Sequence, residues 1–237
     1  MMKKVSIITP CFNSEKTIRD TMESVLGQTY PNIEYIIVDG GSTDATIRIV
    51  KEYEFKFKGR LRYVSEKDKG IYNAMNKGIR MSTGNIIGII NSDDYYEIDT
   101  VERVMENRSR VKYQVIYGYL RCIDKHGSER VLKARHLDIG RHMIAHPTCF
   151  VTRSVYRDYG LFIEWLRIAS DYELMMRLSK HDNVEFTIIE DVLANFRLGG
   201  ASSGYDTAFE ASLVRFLYGQ ASWKELRQEI VEYLLVK

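Results

Sequence analysis

Residues 85–96, Asn85-Ile-Ile-Gly-Ile-Ile-Asn-Ser-Asp-Asp-Tyr-Tyr96, constrain this chain more than any other stretch. A short Ile-rich run ends abruptly in two adjacent carboxylates, Asp93 and Asp94. Such a run, bounded by polar residues, reads as a strand buried on both faces. Strands of that kind belong to parallel sheets, and ligands bind just past their carboxyl ends. Asp93 and Asp94 are therefore expected at the mouth of a sheet, facing a crevice. Neighbouring carboxylates repel each other, and a divalent cation relieves the repulsion. The alternative is a polar turn in which Asp caps the next helix.

The segments before it repeat the arrangement. Val5–Thr9 reads as an apolar strand closed by Pro10, with Asn13 or Ser14 placed to cap a following helix. In that helix Ile18, Met22, Val25 and Leu26 form one apolar stripe. Ile33–Val38 is a second strand, ending in Asp39-Gly40-Gly41-Ser42-Thr43-Asp44. Ser42 or Asp44 then starts another helix, with Ile47 and Val50 facing inward. Strand–helix–strand–helix implies parallel strands joined by right-handed crossovers. Asp39 is a second candidate site residue, and Gly40 and Gly41 let the backbone approach a ligand. The same residues also suit a plain turn onto a helix. Neither the dinucleotide fingerprint nor a P-loop sequence is present.

Leu61–Val64 reads as a third strand, followed by the charged loop Glu66–Gly70 and a helix from Ile71. Ile71, Ala74, Met75 and Ile79 share one helical face. Tyr72, Asn73, Asn76 and Lys77 lie elsewhere on its surface, either solvated or within reach of a ligand. Asp99 and Glu102 have capping-box spacing for a helix over 100–108. Strands are expected near 114–123 and 129–133, where the regular alternation stops. This half should add antiparallel strands and build the far wall of the crevice.

His142 and His146 are four apart, as metal ligands on a helix are, but Pro147 argues against a helix through them. His146 reads equally as a substrate-facing or a structural histidine. Ser170 and Glu173 have capping-box spacing, which makes Asp171 an acid in a first helical turn. The functional alternative is a general base at a helix mouth. Val192–Phe196 is a strand, and Arg197-Leu-Gly-Gly-Ala-Ser-Ser203 is either a phosphate-wrapping loop or a connector. The tail over 207–236 is helical, with stripes Phe209, Leu213, Phe216, Leu217 and Trp223, Leu226, Ile230, Leu234. Those stripes suit packing on the body, on a second copy as a homo-oligomer, or on a membrane surface as a peripheral association.

Composition narrows the class. With 34 Lys and Arg against 32 Asp and Glu, the chain offers no broad nucleic-acid surface. Cys11, Cys122 and Cys149 have no metal-like spacing and read as reduced thiols of a cytoplasmic protein. The apolar start is too short, and too broken by Ser6, Thr9 and Pro10, for a signal peptide. No run approaches the length of a membrane span.

Taken in order, seven motifs resemble the inverting family 2 glycosyltransferases with the GT-A, nucleotide-diphosphosugar transferase fold. They are residues 9–13 (Thr-Pro-Cys-Phe-Asn), 38–44 (Val-Asp-Gly-Gly-Ser-Thr-Asp), 68–78 (Asp-Lys-Gly-Ile-Tyr-Asn-Ala-Met-Asn-Lys-Gly) and 91–94 (Asn-Ser-Asp-Asp). Residues 146–150 (His-Pro-Thr-Cys-Phe), 170–174 (Ser-Asp-Tyr-Glu-Leu) and 196–202 (Phe-Arg-Leu-Gly-Gly-Ala-Ser) follow. The resemblance implies an α/β/α sandwich with a mixed, mostly parallel sheet. Residues 1–203 would be the GT-A domain, nucleotide-binding over about 1–95 and acceptor-binding over about 96–203, with 204–237 a C-terminal helical extension.

By the same resemblance Pro10 and Phe12 line the nucleoside pocket, Asp39 binds the base, and Asp68 and Lys69 border the nucleotide. Asp93 and Asp94 hold Mg²⁺ or Mn²⁺ against the diphosphate and contact the ribose. Asp171 is the catalytic base, which overturns the capping role that spacing alone favours. Arg197 and its glycines close over the diphosphate, and His146 marks the acceptor side. The donor is expected to be a nucleotide sugar, with a lean to UDP, and the acceptor a glycan or a lipid-linked intermediate. The latter would bring the chain to the inner face of the membrane. Asn91 departs from the pattern, since many members carry Asp there. The rival reading is a non-catalytic nucleotide-sugar-binding subunit of a polysaccharide assembly complex.

Overall fold

A computed structural model describes residues 2–199 and 205–236. The first half alternates as expected. Strands β1 (Val5–Cys11), β2 (Ile33–Asp39), β3 (Leu61–Ser65) and β4 (Ile86–Ile89) interleave with helices α1 (Ile18–Leu26), α2 (Thr46–Glu54) and α3 (Ile71–Met81). The second half runs β5 (Tyr95–Tyr96), α4 (Thr100–Glu106), β6 (Gln114–Ile123), β7 (Glu129–Leu132), β8 (Phe150–Thr152) and α5 (Arg153–Tyr159). It closes with α6 (Ser170–Leu178), β9 (Glu185–Arg197), α7 (Tyr205–Leu217) and α8 (Trp223–Val236).

Among the described residues nine strands form one sheet in the order β3-β2-β1-β4-β8-β6-β9-β5, with β7 on β6. β1 pairs in parallel with β2 and β4, and β2 with β3. β8 runs antiparallel between β4 and β6, and β9 returns parallel to β6. The expected mixed, mostly parallel α/β sandwich with C-terminal helices is therefore present.

Alternation along the strands divides the core in two. Ile7, Tyr35 and Ile37 face α1, α2 and α4, where they meet Met22, Val50 and Val101. Ile8, Ile36 and Val38 face the opposite way, onto Met75 of α3 and Leu174 of α6. Burial on both faces explains why the strands read as unbroken apolar runs. β1 does not end at Pro10. Proline lacks an N–H, yet the ladder continues because the Cys11 carbonyl accepts from Gly40 N at 2.9 Å.

One close approach sets the spacing of α3 on the sheet. A Cβ built on Gly78 would lie 2.4 Å from Ile8 Cγ2, inside the fully buried face of β1. Gly78→Ala is expected to destabilise by ~1–3 kcal/mol through overpacking, despite the better helix propensity of alanine. Urea denaturation measures it, and an unchanged midpoint would mean that Ile8 moves aside freely.

Glu34 on β2 is a structural centre that sequence reasoning did not single out. The residue is 8% exposed. It accepts from the Ser6 hydroxyl, from Thr83 N and Oγ1, and from Gly84 N, with Arg62 alongside at 3.3 Å. Burial pushes its pKa up, but the Ser6 and Thr83 hydrogen bonds outweigh burial and leave it below the ordinary value. A depressed carboxylate contributes stability above the unfolded pKa, and that contribution fades as pH falls through the folded one. Glu34→Gln is expected to cost about 3 kcal/mol at neutral pH. The deficit should narrow in acid, so denaturation at neutral and acidic pH checks both points.

Several sequence expectations are corrected. Asp99 and Glu102 form no capping box: Asp99 bonds Arg103 Nε at 2.8 Å and Glu102 takes the Thr29 hydroxyl at 2.6 Å. Their helix stops at Glu106 rather than at 108. Tyr72 and Asn76 are buried, not on the surface of α3, while Ile71 is 40% exposed. The tail stripes are also shifted. Val214 and Leu226 are buried, whereas Leu217, Trp223 and Leu234 stand exposed. The tail packs on the body through Val214, which joins the α6 side of the core. The Gly-Ala-Ser-Ser stretch over 200–203 lies outside the described residues.

Candidate active site

A cleft of about 730 Å³ opens at the carboxyl ends of β1, β2 and β4. Its floor and walls come from four segments: Pro10–Thr17 at the end of β1 and beyond it, Asp44 after β2, Asp68–Ala74 at the start of α3, and Asn91–Asp93 after β4. Phe196 at the end of β9 closes one side. Parallel strands aim their exits at one edge, which is why residues 80 apart in sequence meet here.

Polar residues that looked like helix caps join these loops instead. Asn13 and Ser14 do not cap α1, whose first amide bonds the Ser14 backbone carbonyl at 3.0 Å. Asn13, at φ 49°, accepts from Thr43 N at 2.9 Å. Ser14 Oγ shares a 2.7 Å hydrogen bond with Ser92 Oγ. Glu15 N donates to Asp44, whose other oxygen takes the first amide of α2 from Thr46 at 2.9 Å. Asp44, not Ser42, therefore starts α2.

The residues singled out from sequence fall into four places. Pro10, Phe12, Asp68 and Asp93 line the cleft, with Phe12 61% exposed at its mouth. Lys69 is exposed between Asp68 and Gly70, both cleft residues. Asp39 sits just below, fully buried, and accepts from Gly41 N, Ser42 N and the hydroxyls of Ser42 and Ser65. Gly41 makes that turn at φ +85°, a conformation glycine adopts without strain. The third place lies behind Asp93. Asp94 is fully buried, and its carboxylate takes Arg197 N at 3.2 Å and faces the Asn91 amide at 3.4 Å. Arg197 reaches past it to the Asp93 carbonyl at 3.0 Å and to Asp20 at 2.6 Å, its guanidinium above the Tyr95 ring.

Burial, reinforced by the charge of Asp93, pushes Asp94 up to about 8. Asn91 Oδ1 beside it is buried with no hydrogen-bond partner. Two repelling carboxylates next to an orphaned amide oxygen form an all-oxygen donor set, the kind Mg²⁺ and Mn²⁺ take. No group of three or more His, Cys, Asp or Glu suited to a metal occurs among the described residues. A cation here would complete its shell with water and donor phosphates, as Mg²⁺ commonly does. The residues present fit such an ion.

Asp171 is the fourth place. It is half-buried in the first turn of α6. Its Oδ1 accepts from Tyr172 N and from the Tyr72 hydroxyl, both at 2.9 Å, the single hydroxyl proton being shared with the Ile168 carbonyl at 2.5 Å. Oδ2 has no partner among the described residues. Tyr72 follows Ile71, a cleft residue, so the start of α3 joins the cleft to Asp171. Burial, then the charge of Asp171, raises the Tyr72 phenol far above its ordinary value, so it stays protonated and donates. His146 is 5% exposed with its ring edge-on to Phe162, and burial lowers its pKa against the charge of Asp171.

Sequence reasoning missed two supports. Glu164 receives the side-chain amides of Asn73 at 2.8 Å and Asn76 at 3.0 Å, fixing α3 beside Asp171. Glu210 on α7 accepts Arg167 N, Ile168 N and Ala169 N, capping the approach to α6. The capping box expected at Ser170 and Glu173 does not form. Ser170 Oγ accepts from Ile163 N, and Glu173 pairs with Arg177 and Tyr218.

The fold is that of the GT-A glycosyltransferases. S. aureus TarS 1-349 in complex with UDP superposes with a TM-score of 0.72 at 21% identity, covering 98% of this chain and 70% of that one. Mannosyltransferase PcManGT from Pyrobaculum calidifontis, in complex with GDP-Man and Mn²⁺, superposes with a TM-score of 0.69 at 17% identity, over the same shares. The sequence model of glycosyl transferase family 2 matches residues 6–185, and the chain belongs to that family. Escherichia coli chondroitin synthase is 33% identical over 183 residues, covering 74% of this chain and 26% of that protein. Glycosyltransferase GlyA of Streptococcus pneumoniae serotype 4 is 36% identical over 111 residues, covering 47% of this chain and 16% of that protein. The chain thus spans about a quarter or less of these two relatives. No described helix is long and apolar enough to cross a membrane.

Proposed function

We propose that the protein is a metal-dependent inverting glycosyltransferase of bacterial polysaccharide biosynthesis. It moves a sugar from a nucleotide-diphosphate sugar, UDP-linked in this reading, to a hydroxyl of a glycan or lipid-linked acceptor. It works in the cytoplasm or at the inner face of the membrane. One observation carries the reading: the acid-lined cleft at the strand ends is joined through Tyr72 to a carboxylate whose second oxygen has no partner among the described residues.

Pro10 and Phe12 receive the nucleoside, with Asp39 beneath it, and Asp68 and Lys69 flank it. Asp93, with Asp94 and Asn91 beside it, would hold Mg²⁺ or Mn²⁺. When bound, the cation neutralises charge on the departing diphosphate. Arg197 adds a fixed positive charge behind Asp93. Asp171 Oδ2 takes the proton of the acceptor hydroxyl as that oxygen attacks the anomeric carbon from the face opposite the leaving group. A single displacement inverts the anomeric centre. His146, buried beside Phe162, shapes the acceptor side.

Binding and slow hydrolysis of UDP-, GDP- and dTDP-sugars, each with Mn²⁺ and with EDTA, test the proposal. Metal-dependent binding of one class supports it and names the base. A folded protein that binds none would replace it with a binding subunit that needs its complex.

Tyr72 acts here as a positioning residue. Tyr72→Phe is expected to lower kcat about 10-fold with the donor KM unchanged, since one charge-assisted hydrogen bond orients Asp171. A rise in KM with kcat intact would place Tyr72 in donor binding instead.

A further inference from the structure

A second cleft, of about 780 Å³, lies at the opposite end of the sheet. It is formed where β1 and β4 begin, where α3 ends, and where the 108–112 loop meets the junction of β8 and α5. Its size falls in the range of small-molecule sites. Five arginines and two lysines line it, and no carboxylate does. The whole chain carries only two more basic than acidic residues, so this concentration is a local feature.

The cations are poorly compensated from within. Asp158, just outside the lining, holds Lys112 at 2.9 Å and Arg157 at 2.7 Å. Arg108 donates to Gln114 and to the Val111 carbonyl, but its Nε is buried without a partner. Lys3, Arg80, Arg110 and Arg153 are exposed and make no ion pair among the described residues. Like charges gathered in a concave site repel one another and focus a positive potential into it. An anion reverses that cost. Guanidinium groups dominate, and their planar forks match the paired oxygens of phosphate. Ile79, Val111 and Leu161 supply an apolar floor between the charges.

We propose that this cleft binds a ligand bearing clustered phosphates, independently of the donor site. A soluble diphosphate and a surface of anionic phospholipid headgroups, each bearing one phosphate, share that chemistry. The cleft belongs to a different set of loops from the donor site, so it needs neither the metal nor Asp93.

The test uses the whole chain in EDTA, with pyrophosphate followed by calorimetry and vesicles followed by co-sedimentation. The vesicles are phosphatidylcholine with and without phosphatidylglycerol. Arg110→Ala/Arg153→Ala removes two exposed cations that form no ion pair among the described residues and lie outside the catalytic machinery. The wild type is expected to bind pyrophosphate or the anionic vesicles, and the double variant about 10-fold more weakly or worse, with a shallower salt dependence. Donor binding, followed separately with Mn²⁺, should be unchanged. Pyrophosphate binding identifies a soluble ligand, and binding only to phosphatidylglycerol vesicles identifies a headgroup. Lys3→Gln/Arg80→Gln gives the same readout should the first variant fail to fold. The proposal is overturned by no binding to either probe or by equal binding in folded variants.

Discussion

Asp171→Asn should lower kcat by ~10²–10⁴-fold while leaving donor affinity and the unfolding midpoint close to wild type. The expectation rests on which oxygen does what. Oδ1 accepts from Tyr72 and from Tyr172 N, and an asparagine oxygen keeps both bonds. Oδ2 is the proton acceptor in the proposed mechanism, and an amide nitrogen in its place takes no proton. A loss of ~10³-fold corresponds to about 4 kcal/mol of transition-state stabilisation. The rival role for Asp171 is a favourable charge in the first turn of α6, worth ~0.3–1 kcal/mol. Single-turnover transfer, donor titration and thermal unfolding on the same variant separate the two. Joint loss of folding and donor binding would assign Asp171 to the helix and not to the chemistry.

Asp93→Ala should remove the Mn²⁺-dependent part of donor binding, so that affinity with Mn²⁺ falls to that with EDTA. A cation clamping a diphosphate supplies several kcal/mol, which sets the expected loss at ~10²-fold or more. Folding should survive, because Asp93 is a half-buried cleft residue. Its removal also takes away the charge that helps to push the Asp94 carboxyl up. A raised carboxyl costs stability as pH climbs from its unfolded pKa towards the folded one, so Asp93→Ala should hold or gain stability just below pH 8. Donor affinity that still responds to Mn²⁺ in the folded variant would move the ion away from Asp93.

The layered fold was legible because its cause is local. Val5–Thr9, Ile33–Val38 and the Ile-rich run after Asn85 are apolar throughout, and only a sheet covered on both faces uses such strands. The polar exits of those strands placed Asp93 and the Pro10–Phe12 segment at one edge, where the cleft lies. Cap signals were less dependable. Asn13, Asp99 and the Ser170–Glu173 pair each have capping chemistry at capping spacing, yet each bonds another partner instead: Asn13 the distant Thr43, Asp99 and Glu173 an arginine one turn on, Ser170 the Ile163 amide. A short polar side chain satisfies whichever donor or acceptor the tertiary fold brings nearer, and spacing alone does not register that competition.

The sequence by itself determined the layer order, the parallel first half and the edge on which a ligand site opens, because burial periodicity and strand polarity are local properties. Tertiary structure alone decided how that site is held. Glu210 reaches across from α7 to the amides of residues 167–169, and Glu164 clasps Asn73 and Asn76. Tyr72 turns inward to Asp171, 99 residues on. The basic cleft at the far end of the sheet is of the same kind. Its cations, from Lys3 to Arg157, come from segments that no sequence window joins. A hydrogen bond or a field depends on distance in space, and only the packed chain fixes that distance.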